Sequence, residues 1–262
     1  MPRLHLFEFE DQSWFPASLR NAMTAYLECT YSITPFPKAW AEQMAALLQA
    51  GSVAQLVDLG SGSGGPVALV LDALAQQGLR VRAVLTDLYP PGNPRLGGFG
   101  SEIQYWPKPV DAANVPVELE GIRTMFASFH HFRPRLARKI LSDAFARRRP
   151  ICVFEATSRT PAAVLSAALI PVLVLVLTPR IRPLSWTQVI FTYLIPILPL
   201  LMFWDGFVSQ LRTYSVQELA QLTKDLQADD YSWEIGEIKL PRLPASVPYL
   251  IGCGPLPSSA PR

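Results

Sequence analysis

The stretch from Val53 to Gly65, Val-Ala-Gln-Leu-Val-Asp-Leu-Gly-Ser-Gly-Ser-Gly-Gly, constrains the fold of this chain more than any other. An apolar strand delivers a carboxylate, Asp58, into a glycine turn that opens a helix. Sharp strand-to-helix turns visit φ values that a Cβ opposes, and a ligand lying against such a turn requires bare backbone. Gly60, Gly62, Gly64 and Gly65 meet both needs. Pro66 suits a first helical position, Val67 to Gln77 carry an apolar stripe, and Gly78 reads as the residue just past the helix end. The next apolar run, Val81 to Leu85, leads to Thr86 and Asp87, so a second carboxylate stands at the tip of the next strand. This is a βαβ unit, and it predicts an α/β, doubly wound sheet with an acid placed for ribose hydroxyls.

Gly60, Gly62 and Gly65 also satisfy the G-x-G-x-x-G spacing of a dinucleotide site, so the glycines admit two cofactor classes. Asp58 separates them. A carboxylate two residues before the first glycine would lie near a pyrophosphate, where a helix N-terminus should be receiving an anion. S-adenosylmethionine (SAM) has no phosphate and carries an ammonium and a sulfonium, which an acid favours. A nicotinamide-dependent reductase is thereby disfavoured, and a phosphate-binding P-loop lacks its Gly-Lys-Ser/Thr.

With Asp58-Leu59-Gly60-Ser61-Gly62-Ser63-Gly64 the chain resembles the class I SAM-dependent methyltransferases, whose first motif is acid-x-Gly-x-Gly-x-Gly. The resemblance implies that Asp87 holds the ribose with Leu88 beside it, that Asp111 and Ala112 flank the adenine, and that Ser61 and Ser128 add cofactor contacts. It also assigns Gly121 to Phe132 to the fourth strand and its exit loop, Ile151 to Glu155 to the fifth strand, and Pro248 to Gly252 to the closing strand. The implied architecture is a mostly parallel seven-stranded sheet with helices on both faces and an antiparallel last strand. The implied activity is methyl transfer from SAM.

The 262 residues suffice for a substantial core, and a formal charge of +2 gives no strong preference for polyanions, so nucleic acid is not expected as a partner. The amino-methylase motif Asn/Asp-Pro-Pro-Tyr is also missing, and Arg147 to Arg149 read as a solvated loop. Cys29, Cys152 and Cys253 are odd in number and lack metal-ligand spacing, which points to free thiols in a reducing compartment and to no bound metal. Glu8, Glu10 and Asp11 interrupt any apolar leader, so the expected location is the cytoplasm.

The departure from a plain methyltransferase is the region 161–204, inserted between a cofactor-binding part, 1–160, and the rest of the domain, 205–262. Its only charges are Arg180 and Arg182, and the segments Ala162 to Leu177 and Leu184 to Trp204 are apolar on all sides. Such segments are buried in protein or face lipid. The first stops at Leu177, short of the roughly 20 residues a spanning helix needs, and the second contains Pro196 and Pro199. Arginines at a far tip would also oppose the positive-inside bias. A shallow hairpin or re-entrant anchor on the inner face of the cell membrane is therefore expected, with Arg180 and Arg182 near head groups and Trp186 and Trp204 at interfacial depth. A homodimer interface or a lid folded on the domain are the alternatives.

For chemistry, His130 and His131 stand at the end of the fourth strand, where the resembling family places groups near the transferred methyl. A histidine there is suited to take a proton from a hydroxyl or amine. Trp14, Phe15, Tyr26 and Tyr31, around a helix expected from Ala17 to Cys29, are candidates for closing the pocket, with plain packing the commoner role. Asp205 and Arg212 read foremost as an ion pair with each other. Ser215 and Glu218 form a capping box opening a helix from Val216 to Gln227. The expected reaction is methyl transfer to a lipophilic small molecule or lipid-like acceptor at the membrane surface. A membrane-anchored SAM-binding or scaffold protein without methyl transfer is the alternative.

Overall fold

A computed structural model describes residues 1–50, 54–90, 102–240 and 246–254; Val53, where the glycine motif begins, lies outside them. The strands are β1 (Gln55–Leu59), β2 (Arg82–Thr86), β3 (Ile103–Tyr105), β4 (Ile122–Phe126), β5 (Ile151–Phe154), β6 (Ser232–Ile238) and β7 (Val247–Cys253). They form one sheet in the order β3-β2-β1-β4-β5-β7-β6. Its ladders are parallel from β3 to β5, and β7 runs antiparallel to both its neighbours. The α/β sheet with an antiparallel last strand is thus the architecture present.

The helices are α1 (Ala17–Ile33), α2 (Phe36–Ala50), α3 (Val67–Gln76), α4 (Pro134–Ala146), α5 (Pro161–Ser166), α6 (Ile170–Leu177), α7 (Trp186–Val189), α8 (Ile197–Arg212) and α9 (Val216–Thr223). Buried β1 alternates between the two faces of the sheet. Leu56 packs with Trp40, Met44 and Leu74 on the side of α2 and α3, whereas Val57 and Leu59 pack with Phe129, Ile140 and Leu141 on the side of α4. Strands buried on both sides read as continuous apolar runs, which is why they stand out in the sequence.

Helix boundaries moved for local reasons. α1 runs on to Ile33 because no breaker occurs before Thr34, which turns extended ahead of Pro35. α9 stops at Thr223, short of Gln227, and beyond it the Leu226 carbonyl accepts the Trp233 indole N–H at 2.6 Å.

The apolar insertion differs more. The helical run continues from Pro161 to Arg180, 20 residues of mean hydropathy 2.4, rather than ending at Leu177. Pro179 enters at the second position of a closing turn (Thr178–Arg180), still within the first turn, where it costs that turn no donor. The second segment is broken: α7 and a π-helical turn (Ile190–Leu194) meet α8 at 88°. Ile195, ahead of Pro196, leaves the helical region there. α8 itself crosses the expected boundary at 204 and carries on into the site. One side of the insertion packs Val174, Leu177, Leu198 and Met202 against Met23 and Tyr26 of α1. The other side leaves Leu165, Leu169, Val176, Trp186, Leu194 and Leu200 more than half exposed.

Candidate active site

In an open sheet of this order the strand order reverses between the parallel strands β1 and β4, and ligands bind beyond the carboxyl ends there. The glycine turn sits at that point. Gly60 and Gly62 have φ of 68° and 53°, which L side chains rarely adopt, and a Cβ built on either meets nothing within 4 Å. The backbone therefore faces open space rather than a packed neighbour.

Asp58 is 3% exposed and turns both oxygens inward: Ser61 Oγ donates to Oδ2 at 2.6 Å, and Thr124 Oγ1 donates to Oδ1 at 2.8 Å. It stands opposite Thr124 in the ladder, on the sheet face that also carries Leu56 and Ile122. Burial raises its pKa to about 7 against the pull of the two hydroxyls. Asp87 accepts from the Gly62 amide at 2.9 Å and from the Tyr89 amide at 2.8 Å, with Leu88 exposed between them. Tyr105, at the end of β3, donates from its hydroxyl to the Gly62 carbonyl at 3.0 Å. Asp111 accepts from the Ala113 amide at 2.8 Å, while Ala112 is buried, and the Val110 amide ties this loop to the Asp87 carbonyl at 2.9 Å. The structure thus gathers Asp58, Gly60, Ser61, Gly62, Asp87 and the 110–112 loop at one end of β1 and β2. Gly64, φ 115°, closes the same turn. Ser128 lies beyond β4 with its Oγ buried and unpartnered, next to Ala127, whose φ of 49° is unusual for a residue with a Cβ.

The second half of the site lies beyond β4 and β5. Glu155, at the end of β5, accepts from the His130 amide at 2.8 Å and from His130 Nδ1 at 2.7 Å. With the proton held on Nδ1 by a carboxylate, Nε2 is left as an acceptor, and it has no partner among the described residues. The rings of His130 and His131 lie 4.3 Å apart. His131 Nδ1 donates to Asp11 Oδ1 at 2.8 Å and lies 3.4 Å from Glu8 Oε2. Burial would lower its pKa, but Glu8 and Asp11 outweigh that and raise it to about 9. Burial opposes the Asp11 charge as well, yet His131 and Arg212 hold its pKa well below the ordinary carboxylate range.

Both acids belong to an N-terminal strap that α8 clasps. Asp205 accepts from the amides of Phe9 at 2.8 Å and Glu10 at 3.1 Å. Arg212 donates to Asp11 Oδ2 at 2.6 Å, lies 3.3 Å from Glu8 Oε1, and donates from Nε to the Leu6 carbonyl at 2.8 Å. The expected Asp205–Arg212 pair is therefore not formed. The two residues are seven positions apart on one helix, and the strap offers each a nearer partner. Glu8, His130 and His131 do bring ligand-type atoms within 4.8 Å of one another, but Arg212 Nη1 lies 3.3 Å from both Glu8 Oε1 and His131 Nδ1. A guanidinium already fills the cation's role there.

Of the aromatic residues, Phe15 and Tyr26 pack beneath the insertion, Trp14 is exposed, and Tyr31 packs on Phe36 and Trp40. Glu155 and the strap acids carried no local motif. The one signal for Glu155 was its place at the end of an apolar run.

A solved structure of the plantazolicin methyltransferase BpumL in complex with SAH superposes with a TM-score of 0.57 at 13% identity, covering 94% of this chain and 93% of that one. The chain shares the fold of that methyltransferase. The same BpumL with a triazolic desmethylPZN analog and SAH gives 0.52 at 12% identity, over 90% of this chain and 98% of that one. With a monoazolic analog it gives 0.52 at 11%, over 90% and 97%. No protein-family model matches this chain, and no curated protein does. The match extends through the methyltransferase sheet and nearly the whole length of both chains.

Proposed function

We propose that this protein is a SAM-dependent methyltransferase that acts on a lipophilic small molecule or lipid-like acceptor at the membrane surface. The observation that carries the reading is the glycine turn at the β1/β4 switch point, held open by Asp87 and Tyr105, in a fold whose neighbour BpumL binds SAH. The residues fit the cofactor: the bare backbone at Gly60 and Gly62 backs onto open space, and the unpartnered Ser128 Oγ awaits a polar group. When bound, SAM supplies a methyl on a cationic sulfonium. Asp87 and the Asp111–Ala112 pair would hold its nucleoside end, with Asp58 contributing negative charge beneath the turn. Glu155 fixes His130 through its amide and Nδ1, which leaves Nε2 as the atom that would receive a substrate proton. Methyl transfer then needs chiefly in-line positioning.

The exposed apolar side of the insertion supports membrane contact. A concentration of exposed apolar side chains of this kind marks an interaction site, and Arg180 with Arg182 between the two apolar segments suits anionic head groups. Contact with the cytoplasmic leaflet, rather than a full crossing, agrees with the 88° break. Flotation with vesicles of anionic and of neutral phospholipid tests this, and a protein that stays at the bottom of both gradients as a stable dimer assigns the surface to self-association instead. The enzymatic reading is tested with labelled SAM on membrane and soluble extracts of the host. Label in a membrane component supports it; SAH binding without any labelled product leaves a cofactor-binding scaffold.

A further inference from the structure

Independently of methyl transfer, we infer that a second cleft, at the root of the apolar insertion, binds an oxyanion: the carboxylate or phosphate of a small molecule or of a lipid head group. The cleft measures about 210 Å³, many times the roughly 10–15 Å³ that admits one water. It lies beyond the carboxyl end of β5, where Ser158, Arg159 and Thr160 lead into the insertion, and Tyr214, Ser215 and Glu237 add to its wall. Two buried polar atoms of the residues lining it have no hydrogen-bond partner among the described residues, Ser158 Oγ and Arg159 Nη1. Ser158 is 6% exposed, and so is the Arg159 side chain. Buried polar groups are almost always paired, so two adjacent residues that break this rule on one cleft point to a ligand.

The donors are held in place. Arg159 Nη2 donates to Glu218 Oε2 at 2.6 Å, which fixes the guanidinium and leaves its other terminal nitrogen unspent. The Ser215 amide fixes Glu218 in turn at 2.8 Å, and the Ser158 amide donates to Gln210 Oε1 at 3.0 Å. Two further hydroxyls line the cleft as helix caps. Thr160 Oγ1 accepts from the Ala163 amide at 3.2 Å where the helical run 161–180 begins, and Ser215 Oγ accepts from the Glu218 amide at 3.2 Å where α9 begins. Each has accepted, so each keeps its O–H hydrogen to give. The positive ends of both helices also meet here. The Ser158, Thr160 and Ser215 hydroxyls and Arg159 Nη1 outnumber the two lone pairs of a single carbonyl oxygen. A carboxylate or phosphate brings more oxygens, and its charge strengthens each bond. Two carboxylates oppose an anion: Glu218 is countered by Arg159, and exposed Glu237 accepts from the Ser246 hydroxyl at 2.6 Å and sets a ceiling on affinity.

The test titrates the full chain by calorimetry with inorganic phosphate, acetate, octyl phosphate and octylamine, with SAH binding followed in parallel. The inference expects heat from the anions and none from octylamine. Arg159→Lys keeps a cation beside Glu218 but loses the second terminal nitrogen, and should weaken anion binding about tenfold. Ser158→Ala should weaken it about threefold, and Glu237→Gln should tighten it about threefold, all with SAH binding unchanged. Should Arg159→Lys fail to fold, the other two variants decide. Octyl phosphate bound at least tenfold more tightly than phosphate assigns the lipid head group as the source, and equal affinities assign a free anion. Silence from all three anions, tighter binding of octylamine, or anion binding that Ser158→Ala and Glu237→Gln leave unchanged overturns the inference. A silent SAH titration beside bound anion strikes the methyl-transfer reading and leaves this one standing.

Discussion

The two halves of the site are built in opposite ways. The glycine turn is local: Ser61 reaches back three residues to Asp58, and the positive φ angles of the turn fall at Gly60, Gly62, Gly64 and Gly65. The acceptor side is assembled across the chain, with Arg212 meeting Asp11 over 201 positions and Asp205 meeting the Phe9 amide over 196. Local geometry announces itself in a sequence through glycine and proline. A long-range polar network of ordinary acids and arginines does not.

The contrast breaks first where charge is most deeply buried. Arg212→Met leaves Glu8 and Asp11 without their guanidinium, and Glu8 is nearly inaccessible, so the expected loss is about 3–5 kcal/mol in urea unfolding. A loss below about 1 kcal/mol would mean that the strap is not held by this pairing. On the cofactor side, Asp58→Asn keeps one carbonyl acceptor and should cost only about 1 kcal/mol of stability, while weakening SAH binding about tenfold by removing the charge beneath the turn. Unchanged SAH affinity would show that the acid serves the turn alone.

The strap also predicts a pH signature. Glu10 at about 8, His131 at about 9 and Asp58 at about 7 all sit above their ordinary values of 4.5, 6.5 and 3.8. The folded chain then binds protons more tightly than the unfolded one, so stability falls as pH rises. For His131 the contribution is full below about pH 6.5 and is lost by about 9; for Glu10 the fall is complete by about 8. Melting temperatures taken from pH 6.5 to 9 should decline, and Glu10→Gln should flatten the decline below pH 8. A melting temperature that rises over this range contradicts the assigned shifts.

What the sequence disclosed follows the same division. Strand order and the cofactor end were readable because buried parallel strands are unbroken apolar runs and because Gly60, Gly62 and Pro66 admit few conformations. The insertion was visible as composition, but its shape was not. Whether Pro179 ends a helix or opens a turn, and whether Pro196 bends α8 away by 88°, depends on what packs beside each proline. Asp205 and Arg212 were conspicuous as charges, yet sequence proximity suggested each other as partners when the strap provides better ones. Glu155 showed only as the acid that ends an apolar run, and Glu10 gave no sign of its setting.

The smallest structural effect is expected on the insertion's open side. Leu165→Glu combined with Leu194→Glu alters two exposed residues and should change stability by no more than about 0.5 kcal/mol each, while abolishing vesicle flotation. Retained flotation would move the membrane contact elsewhere.

The most direct measurement is calorimetric titration of the intact protein and of Gly62→Val with SAH. Gly62 has φ 53° and open space before it, so valine strains the turn as well as closing it to a ligand, and circular dichroism identifies the folded variant. The account predicts binding heat for the parent chain and none for the folded variant. Equal heats from both, or a parent that ignores SAH and binds a nicotinamide dinucleotide, would contradict it.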